Sequence, residues 1–141
     1  LSMPGVIYKN TGSIEDFRIV NQVMEENTRH SAVMVWEDKL LVFYTRKGDT
    51  PERILLTTID LTIPAALWKT TTPIEVLKPE KEWEGASLPL HKSVASAINI
   101  PVNQLRDPAV FSEGDRNYLL YSVRGENGIA IAEFSILDQK K

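Results

Sequence analysis

Two short segments of this 141-residue sequence carry side chains suited to binding or proton transfer, Arg29-His30 and Arg106-Asp107. A guanidinium group is a planar fork of donors that can hold the hydroxyl or carboxylate groups of a ligand. The same two arginines could instead pair with Glu52 or Glu126 and fix a turn. His30 can likewise serve at a ligand site, or be satisfied by hydrogen bonds where a strand begins.

Several other kinds of chemistry are excluded by composition. The sequence has no cysteine, so disulfides, thiol catalysis and cysteine-bound zinc are impossible. The two histidines, His30 and His91, form no His-x-x-x-His pair, and we expect neither a metal nor another cofactor. A net charge of −3 with scattered basic residues predicts that nucleic acid is not a partner.

The remaining composition is that of an ordinary globular domain. The sequence is 43% hydrophobic, and at this length we expect one domain over residues 1–141. It contains no apolar run long enough to cross a membrane and no secretory signal, which favours a cytoplasmic protein without a membrane partner.

An internal repeat organises the chain. Arg29 aligns with Arg106 at an offset of 77, and the same offset carries Ala32 onto Ala109 and Tyr44 onto Tyr121. After Gly48 the first copy holds two extra residues, so that the offset becomes 75. The repeat units extend over about residues 29–61 and 106–136.

Each repeat unit predicts three β-strands separated by turn residues. The first strands are expected at 32–36, 40–45 and 54–60, and the second set at 109–112, 118–123 and 129–136. The connecting segment 62–105 should hold a fourth strand, a long excursion and a short helix within 88–98. The sequence therefore predicts an all-β fold of antiparallel sheets.

Two sheet units are too few to close a ring of four to eight propeller blades. Three arrangements remain open: a partial propeller, a ring completed by other copies, or two sheets packed as an open sandwich.

Several motifs resemble those of the five-bladed β-propeller glycoside hydrolases, the clan of arabinanases, xylosidases and fructosidases. The motifs are Arg106-Asp107-Pro108-Ala109-Val110-Phe111, Tyr118-Leu119-Leu120-Tyr121-Ser122, Gly128-Ile129-Ala130-Ile131-Ala132-Glu133 and Trp83-Glu84-Gly85-Ala86. The resemblance covers about residues 4–134 and is to the carboxy-terminal two blades of uncharacterised bacterial members. It implies that amino-terminal blades are missing.

The resemblance also implies roles for two carboxylates. Glu84 would be the general acid and Asp107 the residue that orients the sugar, since glycoside hydrolysis needs one protonated and one ionised carboxyl group. Arg106 would keep Asp107 charged, and Trp83 would supply an apolar wall beside Glu84.

This sequence departs from the family's pattern. Glu84 precedes Asp107, whereas the family has its Asp motifs first. The first-copy equivalent of Asp107 is His30, and a third carboxylate is missing. A complete catalytic set is therefore not expected from this chain alone.

Each of these residues also has a structural interpretation. Asp107 could bond a backbone N–H in a turn before Pro108, and Glu84 could be a solvated loop residue. Trp83 could stack on a sugar or pack in the core. The amides of Asn103 and Gln104 suit sugar hydroxyls, and the loop 46–53 could border a pocket or form a surface hairpin.

The sequence thus supports two functional hypotheses. The first is a glycoside hydrolase, or part of one, with Glu84 and Asp107 as catalytic residues and with Arg106, His30, Arg29, Trp83, Asn103 and Gln104 binding carbohydrate. The second is a non-catalytic carbohydrate-binding or assembly module that completes its ring as a homo-oligomer or with the missing blades.

Overall fold

The fold is known from a computed structural model that describes Leu1 and residues 4–137. The described part of the chain is all-β, with nine strands in three antiparallel sheets. The first sheet contains β1 (Val6–Asn10) and β2 (Phe17–Gln22). The four-stranded sheet contains β3 (Thr28–Trp36), β4 (Lys39–Arg46), β5 (Ile54–Asp60) and β6 (Ile74–Leu77), and the three-stranded sheet contains β7 (Arg106–Glu113), β8 (Arg116–Ser122) and β9 (Ile129–Phe134).

The strands predicted in both repeat units are present, with small shifts at their ends. The expected fourth strand is β6, and the hairpin of β1 and β2 was not predicted as such. The prediction of a short helix within 88–98 was wrong. This segment has an irregular backbone, because the backbone of Ser93 pairs with the turn between β4 and β5 instead of with its own neighbours. Its carbonyl accepts from the N–H of Gly48 at 2.9 Å, and its N–H donates to the carbonyl of Asp49 at 3.0 Å. Within the described residues, no helix is long and apolar enough to cross a membrane.

The two larger sheets pair their strands in the same register. Ala32 lies opposite Phe43 in the four-stranded sheet, and Ala109 lies opposite Leu120 in the three-stranded sheet. Both pairs are related by the offset of 77 found in the sequence. The first strand of each sheet, β3 or β7, also has an irregular register near its first residues. Equivalent backbone positions therefore lie at the start of both strands.

The three sheets stack in chain order because β4 buries both of its faces. Leu41 and Phe43 pack toward the three-stranded sheet, where Phe43 meets Phe134 at 5.2 Å between ring centroids. Val42 and Tyr44, at the alternate positions, pack toward the first sheet. Successive side chains of a strand point to opposite faces, so one strand joins two apolar cores.

A buried ion pair joins the two larger sheets at the start of β3 and β7. Oε2 of Glu52 lies 3.0 Å from Nη1 of Arg29 and 3.1 Å from Nε of Arg106. Glu52 and Arg106 are completely buried, and Arg29 is only 4% exposed. The hydroxyl of Ser93 also donates to Glu52. One carboxylate thus contacts two arginines that come from different sheets.

Replacing Glu52 should strongly destabilise the protein. Glu52→Gln leaves the buried Arg29 guanidinium without its counter-charge and leaves Arg106 with Glu126 alone, and breaking a buried pair in this way costs about 3–5 kcal/mol. We expect a loss of this size in the free energy of unfolding, measured by urea titration of tryptophan fluorescence.

The matched control is Glu133→Gln, which breaks the exposed pair between Glu133 and Arg116. Because solvent screens exposed pairs, this variant should unfold at the wild-type urea concentration. Equal midpoints for both variants would contradict a structural role of Glu52.

Candidate functional site

A cleft of about 580 Å³ opens where the first residues of β3 and β7 meet. Its volume falls in the range of small-molecule sites, about 300–1,000 Å³. Both larger sheets and the connecting segment contribute to its wall. The lining residues are Pro4, Thr28, Arg29, His30, Lys47, Ala95, Ser96, Ala97, Asp107 and Glu126.

His30 and Asp107 meet in this cleft, although 77 positions separate them in the sequence. Nδ1 of His30 is hydrogen-bonded to Oδ1 of Asp107, and the hydroxyl of Ser122 donates to Oδ2 at 3.1 Å. The His30 side chain is 46% exposed and that of Asp107 is 31% exposed. The pair is therefore ordered by protein contacts and still open to a ligand.

The backbone of Asp107 adopts an uncommon conformation. Its φ angle is +50°, in the left-handed region that non-glycine residues rarely enter. Such a residue costs of order 1–3 kcal/mol and persists where the surroundings hold it. Here the hydrogen bonds to His30 and Ser122 hold the Asp107 side chain. They take the place of the bond to a nearby backbone N–H that an aspartate before proline could have made in a turn.

The two arginines beside these residues, Arg29 and Arg106, form ion pairs with glutamates of the protein. Nη1 of Arg106 lies 2.6 Å from Oε1 of Glu126, in addition to its contact with Glu52. Arg29 lines the cleft, and its Nη1 is held by Glu52. The pairings with Glu52 and Glu126, which the sequence left open, are thus present, and they fix the floor of the cleft.

Glu84 is buried and lies in a turn, away from the described residues that line the cleft. The residue is only 5% exposed, so Glu84 is not a solvated loop glutamate. Oε2 accepts the N–H groups of Glu80 and Lys81 at 2.9 Å each, and Oε1 accepts the hydroxyl of Tyr121 at 3.0 Å. In this position Glu84 caps the 3₁₀ turn Glu82–Glu84 and ties it to β8. Its role as a general acid stays a prediction.

The glycine that follows Glu84 is required by the same turn. Gly85 has a φ angle of +96°, and a Cβ atom there would lie 3.0 Å from the carbonyl oxygen of Val102. A side chain would therefore be strained in both conformation and space. The Glu-Gly-Ala motif has a structural explanation in this chain that does not involve a substrate.

The other predicted binding residues lie in the loops behind the cleft. The amide of Asn103 donates to the carbonyl of Ala86 at 2.7 Å, and that of Gln104 donates to the carbonyl of His91 at 2.7 Å. Oε1 of Gln104 accepts Nε of Arg106 at 2.9 Å. Both amides therefore brace the connecting segment, whereas Trp83 is 54% exposed.

Sequence reasoning did not single out Thr28 and Ser96, which line the cleft, or Ser122, which donates to Asp107. Ser122 ends a central strand, and its contact with Asp107 depends on the irregular register of β7. Lys47, in the charged loop that could border a pocket, does line the cleft. In the described part of the chain, no cluster of three or more His, Asp or Glu side chains could hold a metal ion.

Comparison with known proteins adds one relative. No protein-family model matches the sequence, and no solved structure matches the fold. An uncharacterized protein of Acanthamoeba polyphaga mimivirus is 45% identical over 103 residues, which is 72% of this chain and 29% of the relative. The chain therefore spans less than a third of the length of that protein.

The contact between Tyr121 and Glu84 should make stability depend on pH in the alkaline range. Burial, together with the hydrogen bond to Glu84, raises the pKa of Tyr121 to about 12. The pKa in the unfolded chain is about 10. The stabilising contribution is therefore complete below pH 10 and is lost as the pH rises toward 12.

We expect the free energy of unfolding to fall over this interval and to fall less in Tyr121→Phe, as measured by urea titration at fixed pH. A smaller decline should remain, because burial also raises the pKa of Tyr44. The same decline in both proteins would show that Tyr121 ionises as it does in water.

The conformation of Asp107 can be tested with two substitutions that both remove the carboxylate. Asp107→Gly relieves the left-handed backbone, whereas Asp107→Ala retains a Cβ atom there. We expect the glycine variant to be more stable by about 1 kcal/mol in urea unfolding. An alanine variant of equal or higher stability would contradict the positive φ angle.

Proposed function

We propose that this chain forms two blade-like units of a β-propeller and binds carbohydrate in the cleft between β3 and β7. The carrying observation is the convergence of His30 and Asp107, one from each larger sheet, on an accessible cleft with a rigid floor. The shared register of the two sheets supports the blade-like arrangement.

The cleft offers groups that complement a polyhydroxylated ligand. Asp107 is an acceptor, the Lys47 ammonium is a donor, and His30 and Ser96 can do either. A sugar presents hydroxyls that donate and accept in close succession, so that neighbouring hydroxyls could engage Asp107 and His30 together. Because Arg29 is anchored to Glu52, the floor of the cleft is preorganised, which lowers the entropy lost on binding.

The length of the viral relative is compatible with further blades. The matched region is less than a third of that protein, and a propeller of this kind needs at least four blades. In such a chain the residues at the start of each innermost strand would surround a central channel. His30 and Asp107 would then form one part of the wall of that channel.

Binding should be tested first on a glycan array and then quantified by calorimetry with the best ligand. Asp107→Asn keeps the shape of the side chain and tolerates the left-handed backbone, but removes the charge. Since a hydrogen bond to a charged group contributes about 1.5–3 kcal/mol, affinity should fall by more than about tenfold. His30→Ala should have a similar effect.

Asp115→Asn serves as the matched control, because Asp115 is an exposed aspartate in the turn between β7 and β8. It should bind like the wild type. The proposal fails if no glycan binds, or if Asp107→Asn and Asp115→Asn bind equally well.

Hydrolysis is the second candidate function, favoured by the placement of Asp107 in the cleft, where an orienting carboxylate would be needed. It requires Glu84 to act as the acid, and therefore a rearrangement that brings this buried carboxyl group from its turn to the cleft. If it does, Glu84→Gln abolishes turnover of a glycan that the variant still binds. Binding without turnover in the wild-type chain supports the non-catalytic module.

A further inference from the structure

An apolar face of the three-stranded sheet has no partner within the described residues. Phe111, Ile129 and Ile131 are 52%, 80% and 59% exposed. Tyr118 and Leu120 lie on the same face, because Tyr118 pairs with Phe111 and Leu120 pairs with Ile131. We call these five residues the outer face.

The outer face corresponds position by position to a face that is buried elsewhere in the molecule. By the offsets of the sequence alignment, its residues match Met34, Leu41, Phe43, Ile54 and Leu56 of the four-stranded sheet. Those five pack against the three-stranded sheet in the first core. The outer face thus repeats the pattern of a face that already binds a sheet.

The opposite faces of the two sheets also correspond. Leu119 and Tyr121 match Val42 and Tyr44. Leu119 and Tyr121 pack against the four-stranded sheet, and Val42 and Tyr44 pack against the first sheet. Each of the larger sheets therefore turns one face to the sheet before it, and within the described residues the outer face lacks a sheet that would follow it.

The first sheet stands at the other end of the stack and also exposes apolar side chains. Phe17 and Ile19, both in β2, are 54% and 69% exposed. In the part of the chain that the structure describes, the stack therefore has an unpartnered apolar surface at each end. Surfaces of this kind, different from one another on the same molecule, generate head-to-tail association.

The edge of the outer face has the polar rim typical of an interface. Nη2 of Arg116 lies 2.7 Å from Oε2 of Glu133, and the Arg116 guanidinium carbon is 5.1 Å from the ring centroid of Tyr118. Phe111 stacks on Tyr118 with 6.1 Å between centroids. An aromatic centre with a charged rim is a common composition for protein interfaces.

We propose that the outer face binds the first sheet of a second copy of this chain, with Phe111 and Ile131 against Phe17 and Ile19. The association is head-to-tail, so it continues to a closed ring or an open filament. It continues the order in which the three sheets of one copy already stack.

Light scattering over a range of concentrations tests this proposal. The wild-type mass should rise above the 15.9 kDa of one chain as the concentration increases. Ile131→Lys and Ile19→Lys should each remain at the mass of one chain, because a charge in either apolar surface opposes burial. Leu90→Lys is the matched control, since Leu90 is 60% exposed in a loop and outside both surfaces. It should associate like the wild type.

Mixing the two variants tests the direction of the contact. Ile19→Lys keeps an intact outer face and Ile131→Lys keeps an intact first sheet, so an equimolar mixture should form one-to-one dimers and nothing larger. Far-ultraviolet circular dichroism and urea unfolding of each variant establish that it is folded.

Two results would overturn the proposal. A wild-type mass that stays at one chain at every concentration would assign the outer face to a sheet of a longer polypeptide. Dimerisation of Ile19→Lys by itself would show that two outer faces pair with each other.

Discussion

The structure depends on one buried carboxylate placed between two buried guanidinium groups. Glu52 precedes β5, and its two partners begin β3 and β7, so three strand ends are held at a single point. Removing three charged groups from water costs desolvation free energy, and only close pairing offsets this cost. The two larger sheets therefore have little freedom in their relative position where Arg29 and Arg106 meet Glu52, and the cleft lies directly above that place.

This constraint explains why the residues after the two arginines come together. Arg29 and Arg106 occupy equivalent positions, so fixing them to one carboxylate also brings the next residues, His30 and Asp107, toward each other. Both residues lie where the register of their strands is irregular, and their side chains meet in the cleft. In this way an interior ion pair positions a surface pair, and the strained backbone of Asp107 is held by the contacts it makes across the junction.

Much of the architecture could be predicted from the sequence, because alternation of apolar residues and turn chemistry act locally. The strands of both repeat units follow from such patterns, as does β6 in the connecting segment. The candidate site was harder to predict, since Glu84 and Asn103 have the residue types of a sugar site yet make contacts that depend on distant segments. Glu84 bonds Tyr121, which is 37 positions away. No pattern in the sequence near Glu84 signals that partner.

The pairing of His30 with Asp107 across the junction would couple the binding of the proposed ligand to the packing of the sheets. Neither larger sheet contains the cleft alone, so a ligand that contacts both residues binds only when the sheets are docked. By thermodynamic linkage, such a ligand stabilises the docked state in proportion to its concentration relative to its dissociation constant. A ligand bound in the cleft would then hold the two larger sheets together. Its binding could be detected as slower opening of the sheet junction, for instance as slower amide hydrogen exchange in β3 and β7.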